Sequence, residues 1–380
     1  MIYLDYNATT PHDPEVIAAM RPFLETHFGN PSSSHVLGQR THEAVEQARS
    51  QVASLLNCSP DEVVLMGGGT EANNYAIKGL AFARRDHGNH IITSQVEHPA
   101  VTEVCAWLET QGFEVTYLPV DATGRVNVGD VEAALRAETI LITVMHANNE
   151  VGTVQPVGEI AEIARAREIA VHTDAAQSIG KISVDVKTLG VDLLTVAGHK
   201  LYAPKGIGAL YVRDGIALEK FMHGAGHEGD RRAGTENVLE IVGLGKACEL
   251  IAQSLDDHAE YMRTLRDQLE KELSKQLSDV LVNGDLGNRL PNTLSISFRG
   301  VNADDVLEAI GDEVAASAGA ACHSGEVSVS HVLSAMKIPT EWARGTLRLS
   351  VGRFTTGDEV ERAVEVIVAA VEYCKMKNAN

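Results

Sequence analysis

The chain carries only five cysteines, at positions 58, 105, 248, 322 and 374, and none of them forms a C-x-x-C pair. An odd, scattered set excludes a disulfide framework and a structural zinc site of the usual spacing, and it fits a reducing compartment. Positive charge is also short: 32 basic residues stand against 52 acidic ones, a formal net charge of −20. That balance repels phosphate backbones and anionic lipid, so neither nucleic acid nor a membrane surface is expected as a partner. No apolar run is long enough to span a bilayer. The opening Met1-Ile-Tyr-Leu-Asp5 has neither the basic start nor the apolar stretch of a secretory signal. A cytoplasmic protein is therefore expected. Tandem repeats, low-complexity tracts and flexible linkers are missing as well.

What is present is a chain of 380 residues, 44% hydrophobic, too large for one compact domain and comfortable for two. Its 33 glycines against 11 prolines suit many tight strand-to-helix turns. Between residues 60 and 215 short apolar runs alternate with amphipathic stretches. Val63–Met66, His90–Ser94, Glu114–Leu118, Ile140–His146, Ile169–His172, Leu193–Ala197 and Ala209–Val212 read as strands. Many are Val/Ile/Leu runs without polar alternation, as in a sheet covered on both faces. Helical patterns such as Glu71–Arg85 and Val157–Arg167 lie between them, so the fold class is α/β with a mostly parallel sheet. Near Val238 the rhythm changes. A long helical pattern to Leu277, with a break in it, leads to strands at Asn292–Phe298, near Val314 and at Thr346–Val351, and to helices at Ala303–Ile310 and Gly357–Cys374. We expect a large α/β domain over 12–255 and a small α+β domain built from 1–11 and 256–380.

Four constellations could carry chemistry. In Met66-Gly-Gly-Gly-Thr70-Glu-Ala-Asn-Asn74 a strand ends on three glycines and a helix begins. Such a loop lets backbone N–H groups approach an anion, and Thr70 can cap the helix and add a hydroxyl. Gly67-x-Gly69-x-x-Ala72 also satisfies a loose dinucleotide fingerprint. However, Asp86 and Glu97 only bracket the next strand, and the motif wants an acid at its end. A plain tight turn is the bland alternative. Next, Ile169-Ala-Val-His-Thr-Asp174 and Asp192-Leu-Leu-Thr-Val-Ala-Gly-His199-Lys200 are strands that end on a carboxylate and on a lysine, one crossover apart. By itself Lys200 is an ordinary surface lysine. Together, a carboxylate for a pyridinium nitrogen, a lysine for a Schiff base and a glycine phosphate cradle are what pyridoxal phosphate needs.

The third constellation is Ala318-Gly-Ala-Ala-Cys322-His323-Ser-Gly325, a lone cysteine among small residues on what reads as an exposed loop, with His323 able to favour the thiolate. The other four cysteines read as small buried hydrophobes. A metal site from Cys322, His323 and His331 lacks ligand spacing, and none is expected. Last, Thr346-Leu-Arg348-Leu-Ser350 alternates, so that Arg348 and Ser350 share a face; Arg348 could grip a carboxylate or be merely structural.

These residues, with Tyr3-Leu-Asp-Tyr-Asn-Ala-Thr-Thr-Pro11, Phe28-Gly-Asn-Pro-Ser32, Val96-Glu-His98-Pro, Asn148-Asn149-Glu150, Arg232-Ala-Gly-Thr235-Glu236 and Gly352-Arg-Phe-Thr-Thr356, resemble the NifS/IscS-type cysteine desulfurases of aminotransferase class V. The resemblance runs through almost the whole chain. It implies a type I aminotransferase-like fold and pyridoxal 5'-phosphate as cofactor, with Lys200 as the Schiff-base lysine and as the base that takes the substrate α-proton. It further implies His98 stacked on the ring, Asp174 at the pyridinium nitrogen and Gln177 near the ring oxygen. Gly69, Thr70 and His199 match phosphate positions, and Thr235 matches a residue that reaches the phosphate from a second subunit, which implies a homodimer with shared sites. Asn149 and Arg348 match the substrate-carboxylate positions. Cys322 matches the nucleophile that takes sulfur from L-cysteine as a persulfide, leaving L-alanine, for delivery to an acceptor protein in iron–sulfur or thiocofactor synthesis.

Two departures stand out. Ala197 replaces the serine that many members have before Gly-His-Lys, a loss for which Thr195, on the same strand face, is a candidate to compensate. The nucleophile motif is Gly-Ala-Ala-Cys-His-Ser where Gly-Ser-Ala-Cys-Thr-Ser is commoner. Selenocysteine lyases are similar in both respects, so L-selenocysteine is the alternative substrate. A nicotinamide oxidoreductase is the remote one.

Overall fold

The central strands carry apolar residues on both faces because each is shared between two buried layers. In Val63–Met66, Val63 and Leu65 join one hydrophobic cluster while Val64 and Met66 join another. The same split divides Ile92 from Ile91, Ile142 from Leu141, Val171 from Ala170 and Leu194 from Leu193. Period-two geometry sends neighbours to opposite faces, so a sheet covered on both sides takes apolar residues on both, and the polar side chains inside it, such as Thr143, His172 and Thr195, bond one another. One layer is completed by the helices Val36–Leu56, Val157–Arg165 and the first part of Val238–Gln276, the other by Gly69–Ala83 and Pro99–Thr110.

The computed structural model describes residues 1–323 and 326–379, without the side chains of 320–323, 326–328 and 379. Its central sheet has seven strands in the spatial order Val63–Met66, Gly208–Val212, Leu193–Ala197, Ala170–Asp174, Thr139–Thr143, His90–Ser94 and Glu114–Leu118. Only Gly208–Val212 runs against its neighbours; the other pairings are parallel. This is the mostly parallel α/β sheet that the sequence predicts.

A second sheet is antiparallel, in the order Ser317–Ala318, Thr346–Ser350, Thr293–Phe298 and Val280–Asn283. It packs with Ala303–Ile310, Gly357–Ala379 and the far part of the long helix into a cluster that includes Leu4 and runs from Met262 to Cys374. The cluster on the large sheet ends at Ile251, and the long helix breaks at Ser254, where φ is −144°. These separate cores support the division we propose at residues 255/256. Ile2–Tyr3 pairs in parallel with Val314–Ala315, which draws the N-terminus into the smaller unit. Among the described residues no helix is long and apolar enough to cross a membrane.

One buried ion pair fastens the large layer. Arg49, on the helix Val36–Leu56, donates to both carboxylate oxygens of Glu228 at 2.6 and 2.9 Å and to the Val63 carbonyl at 3.0 Å. Glu228 in turn accepts from the Leu65 N–H at 2.8 Å. The two side chains are 9% and 3% exposed, so removing one leaves a charge buried without its partner. Arg49→Met is expected to lower unfolding stability by about 3–5 kcal/mol, read as a fall in the denaturant midpoint; an unchanged midpoint would show that the pair is not a fastening.

Candidate active site

The carboxyl ends of the parallel strands open into a cleft of about 240 Å³, where open α/β sheets bind ligands. Asp174 is the last residue of one strand, and Gly198-His199-Lys200 follows directly on its neighbour. The adjacency brings carboxylate and lysine to one cavity. Gly69 and Thr70 enter from the glycine loop, His98 from the start of Pro99–Thr110, Asn149 from the loop after Thr139–Thr143, and Gln177 from the turn after Asp174. Arg348 comes from the middle of Thr346–Ser350 in the smaller unit.

The glycine loop differs in detail from the sequence reading. Gly68, at φ +142°, is the N-cap, and the helix starts at Gly69. Thr70 is thus inside the first turn and does not cap. Gly68 adopts a backbone closed to other residues, so the helix begins two residues earlier than the apolar pattern suggests. At Gly69 a Cβ would lie 3.1 Å from the Ala197 Cβ, so this corner is tightly closed by small residues. Thr195 does not stand in for the missing serine: its hydroxyl lies 3.1 Å from His172 Nε2 and is fully buried. The dinucleotide reading also fails on topology. Among the described residues Val63–Met66 pairs only with antiparallel Gly208–Val212, so the loop belongs to no unit of adjacent parallel strands there.

Lys200 donates from Nζ to the carbonyls of Asn7 and Ala8 at 2.5 and 2.8 Å. Burial, reinforced by the Arg348 guanidinium, pulls its pKa from 10.5 down to about 8, against the opposing pull of Asp174 and Asp5. A lysine so placed has a reactive free amine near neutral pH. Asp174 accepts from Asn73 Nδ2 at 2.6 Å and from the Ala176 N–H at 2.9 Å, which fixes its carboxylate while it faces the cleft. His98 accepts from the Ala100 N–H through Nδ1 at 3.0 Å. An accepting Nδ1 is unprotonated, so the neutral ring carries its proton on Nε2. Desolvation by the surrounding protein lowers its pKa although Asp174 acts to raise it. His199 is pushed down to about 4 by burial and by Lys200, Lys205 and Lys181, and is therefore neutral.

Arg348 donates to the Asn149 carbonyl, to Asp5 Oδ1 and to Ser317 Oγ at 3.2, 2.9 and 3.1 Å. Its buried Nε has no hydrogen-bond partner among the described residues, a donor left over for an anion. One predicted residue does not line the cleft. Thr235 is exposed and borders a separate cleft of about 170 Å³ with Gly67, on the other side of the glycine loop from Gly69. The Cys322 side chain lies outside the described residues. Its backbone belongs to a two-stranded hairpin, Ala320–His323 with Glu326–Val329, rather than to a plain loop. Both roots of that hairpin are tied to the cleft wall or to residues next to it: Ser317 bonds Arg348, Ser330 donates to Glu150 Oε2 at 2.5 Å beside Asn149, and His331 Nε2 lies 2.9 Å from the Glu97 carbonyl beside His98. Cys105 and Cys248 are fully buried with thiols pushed up to about 12, as burial of a small hydrophobe entails.

Sequence reasoning missed Asn7, Asp5, Asn73 and Lys181. The first two sit in the N-terminal motif that carries the family resemblance, which is the only signal they gave. Asn73 follows Thr70 by one helical step, facing the same way.

The donor set fits pyridoxal phosphate: a helix start with closely packed Gly69 and the Thr70 hydroxyl for phosphate, an anchored carboxylate for the ring nitrogen, and an amine of lowered pKa for the aldehyde. Comparison with known proteins agrees. The Aminotransferase class-V family matches residues 2–363. The chain is 48% identical to Cysteine desulfurase IscS of Dictyoglomus turgidum over 98% of this chain and 94% of that protein. It is 46% identical to Cysteine desulfurase IscS of Methanosarcina thermophila over 99% and 93%. Among solved structures, a NifS-like protein superposes with a TM-score of 0.92 at 35% identity, covering 98% of this chain and 99% of the other. SspA in complex with cysteine gives 0.82 at 39% identity, covering 94% and 100%.

The lowered pKa of Lys200 is measurable in the cofactor-free chain. Modification of Lys200 by an amine reagent, followed by peptide mass, is expected to rise with pH through a midpoint near 8. Arg348→Met should move that midpoint upward, because a repelling cation is gone. A wild-type midpoint near the ordinary 10.5 would contradict the electrostatics described.

Proposed function

We propose, for a chain that belongs to the class-V aminotransferase family and within it to the cysteine desulfurases, a division of labour among the residues of the cleft. The enzyme is a cysteine desulfurase, and its family depends on pyridoxal phosphate. The observation that carries the assignment is the convergence of Lys200, Asp174, the Gly69–Thr70 helix start and Arg348 on one cavity. Lys200 would hold the cofactor, Asp174 its ring nitrogen, His98 its face, Gln177 its ring oxygen, and Gly69, Thr70 and His199 its phosphate. When bound, the cofactor supplies an electron sink that makes the substrate's Cα–H and Cβ–S bonds labile.

The chain's own residues do the rest. Arg348, pinned by Asp5 and Ser317 and with no partner for its Nε–H among the described residues, orients the substrate carboxylate together with Asn149. Lys200, whose amine is free at a pH near 8, takes the proton from the substrate Cα and returns one. Cys322, carried on the hairpin rooted beside Arg348 and Glu150, attacks the substrate sulfur as thiolate. One S–S bond forms as one C–S bond breaks. The released electron pair ends in a new C–H bond of alanine, and Cys322 holds the persulfide for transfer to an acceptor thiol. Thr235, exposed across the glycine loop from the cleft, is assigned to the phosphate site of a second copy, which makes the protein a homodimer. This arrangement supports L-cysteine as substrate and an acceptor protein as partner.

Purified protein is to be incubated with L-cysteine or L-selenocysteine, and alanine, sulfide and selenide counted, for wild type and Cys322→Ala. Alanine from cysteine is expected to fall by at least about a hundredfold in the variant, the scale on which loss of a nucleophile is felt, with the visible absorbance of the cofactor kept. Alanine from selenocysteine alone, undiminished in the variant, would replace this reading by a selenocysteine lyase.

A further inference from the structure

Behind the cleft lies a second lysine that the proposed chemistry does not use. Lys181 is only 4% exposed, and burial, with Lys200 and Arg348 adding to it, lowers its pKa well below 10.5. It belongs to the turn after Asp174, where Ile179 and Ser178 N–H groups bond the Ala175 carbonyl and Gly180, at φ +75°, reverses the chain. A side chain at position 180 would also strike Ile251, 2.9 Å from a Cβ. The reversal folds Lys181 back onto Gln177. Its Nζ donates to the Gln177 carbonyl and to the Gln177 side-chain Oε1, each at 2.9 Å. At the other end of the same amide, Nε2 donates to the Asn7 carbonyl at 2.9 Å.

A glutamine amide has an accepting end and a donating end, and its neighbours decide which way it points. Here both ends are specified. Turning the amide over would press its oxygen against the Asn7 carbonyl and take it away from Lys181. In the observed sense one N–H is spent on Asn7, no acceptor for the second is found among the described residues, and Gln177 lines the cleft. We propose that Lys181 is a positioning residue that locks Gln177 in the sense presenting an N–H, not a carbonyl, to the ring oxygen of the bound cofactor. This inference rests on the cofactor reading given above. The N–H stabilises negative charge on that oxygen, which is greatest once the Schiff base has lost its proton, so the lock eases that loss.

The test is the pH dependence of the cofactor's visible absorbance in wild type, Lys181→Met, Gln177→Leu and the double variant. The charges that act on Lys200, those of Arg348, Asp174 and Asp5, are the same in all four. Lys181→Met and Gln177→Leu should each raise the midpoint by about half to one pH unit, the worth of one hydrogen bond. The double variant should move no further than Gln177→Leu alone, because Lys181 acts through Gln177. An unmoved midpoint in Lys181→Met would overturn the proposal. So would additive shifts, which would mean that Lys181 acts by its own charge. If Lys181→Met loses its thermal unfolding transition, Lys181→Gln, which keeps an N–H donor, carries the comparison: a midpoint below that of Gln177→Leu supports the lock, and one equal to it overturns it. Wild-type protein with no visible band at any pH would instead sink the cofactor reading itself.

Discussion

The backbone carbonyl of Asn7 is the point on which the site turns. It accepts from Lys200 Nζ and from Gln177 Nε2, so two functional side chains on separate elements are aimed by one oxygen. Asn7 is itself held from the smaller unit. Its N–H donates to Ser350 Oγ, its Nδ2 to Thr293 Oγ1, and its Oδ1 accepts from Asn292. Because Asn7 is 1% exposed, every one of these bonds is made away from water, where a polar group without a partner is costly. The N-terminal segment therefore fastens the antiparallel sheet to the cleft of the parallel one. Arg348 uses the same route, bridging Asp5 and the Asn149 carbonyl.

The second constraint is charge. Three basic side chains, Lys200, Lys181 and Arg348, crowd the cleft and its rear wall; Arg348 lowers the proton affinity of both lysines, and Lys200 that of Lys181. The nearby anions, Asp174 and Asp5, are both tied, one to Asn73 and Ala176, the other to Arg348 and Ser317. A cavity with surplus donors and positive charge is suited to an anionic ligand, and the doubly anionic phosphate of a cofactor together with a substrate carboxylate would balance it. The protein as a whole carries a net charge of −20, so the cleft runs against the sign of its surface.

Much of this was legible in the sequence, for identifiable reasons. The parallel sheet announces itself because strands buried on both faces are rich in Val, Ile and Leu without polar alternation, and the break in the long helix was visible as a lapse in its pattern. Asp174 and Lys200 could be paired because each ends an apolar run. The helices Pro14–Glu25 and Val36–Leu56 gave no comparable signal: the buried side of the second includes Gly38, Thr41 and Arg49, which interrupt its apolar stripe. Nor does a propensity show that Gly68 would cap the helix ahead of Thr70. Asn7 and Lys181 were illegible for another reason. An asparagine in a loop and a lysine four residues after a glutamine look like solvated surface, and only the tertiary fold buries them.

The central claim is that Lys200, and not the more deeply buried Lys181 beside it, is the residue that holds the cofactor. Borohydride reduction of the purified protein, followed by peptide mass mapping, tests it most directly. The account predicts that the reduced phosphopyridoxyl group sits on the peptide containing Lys200 and that Lys200→Ala retains none. The same group on Lys181, or on no lysine of the cleft, would contradict it.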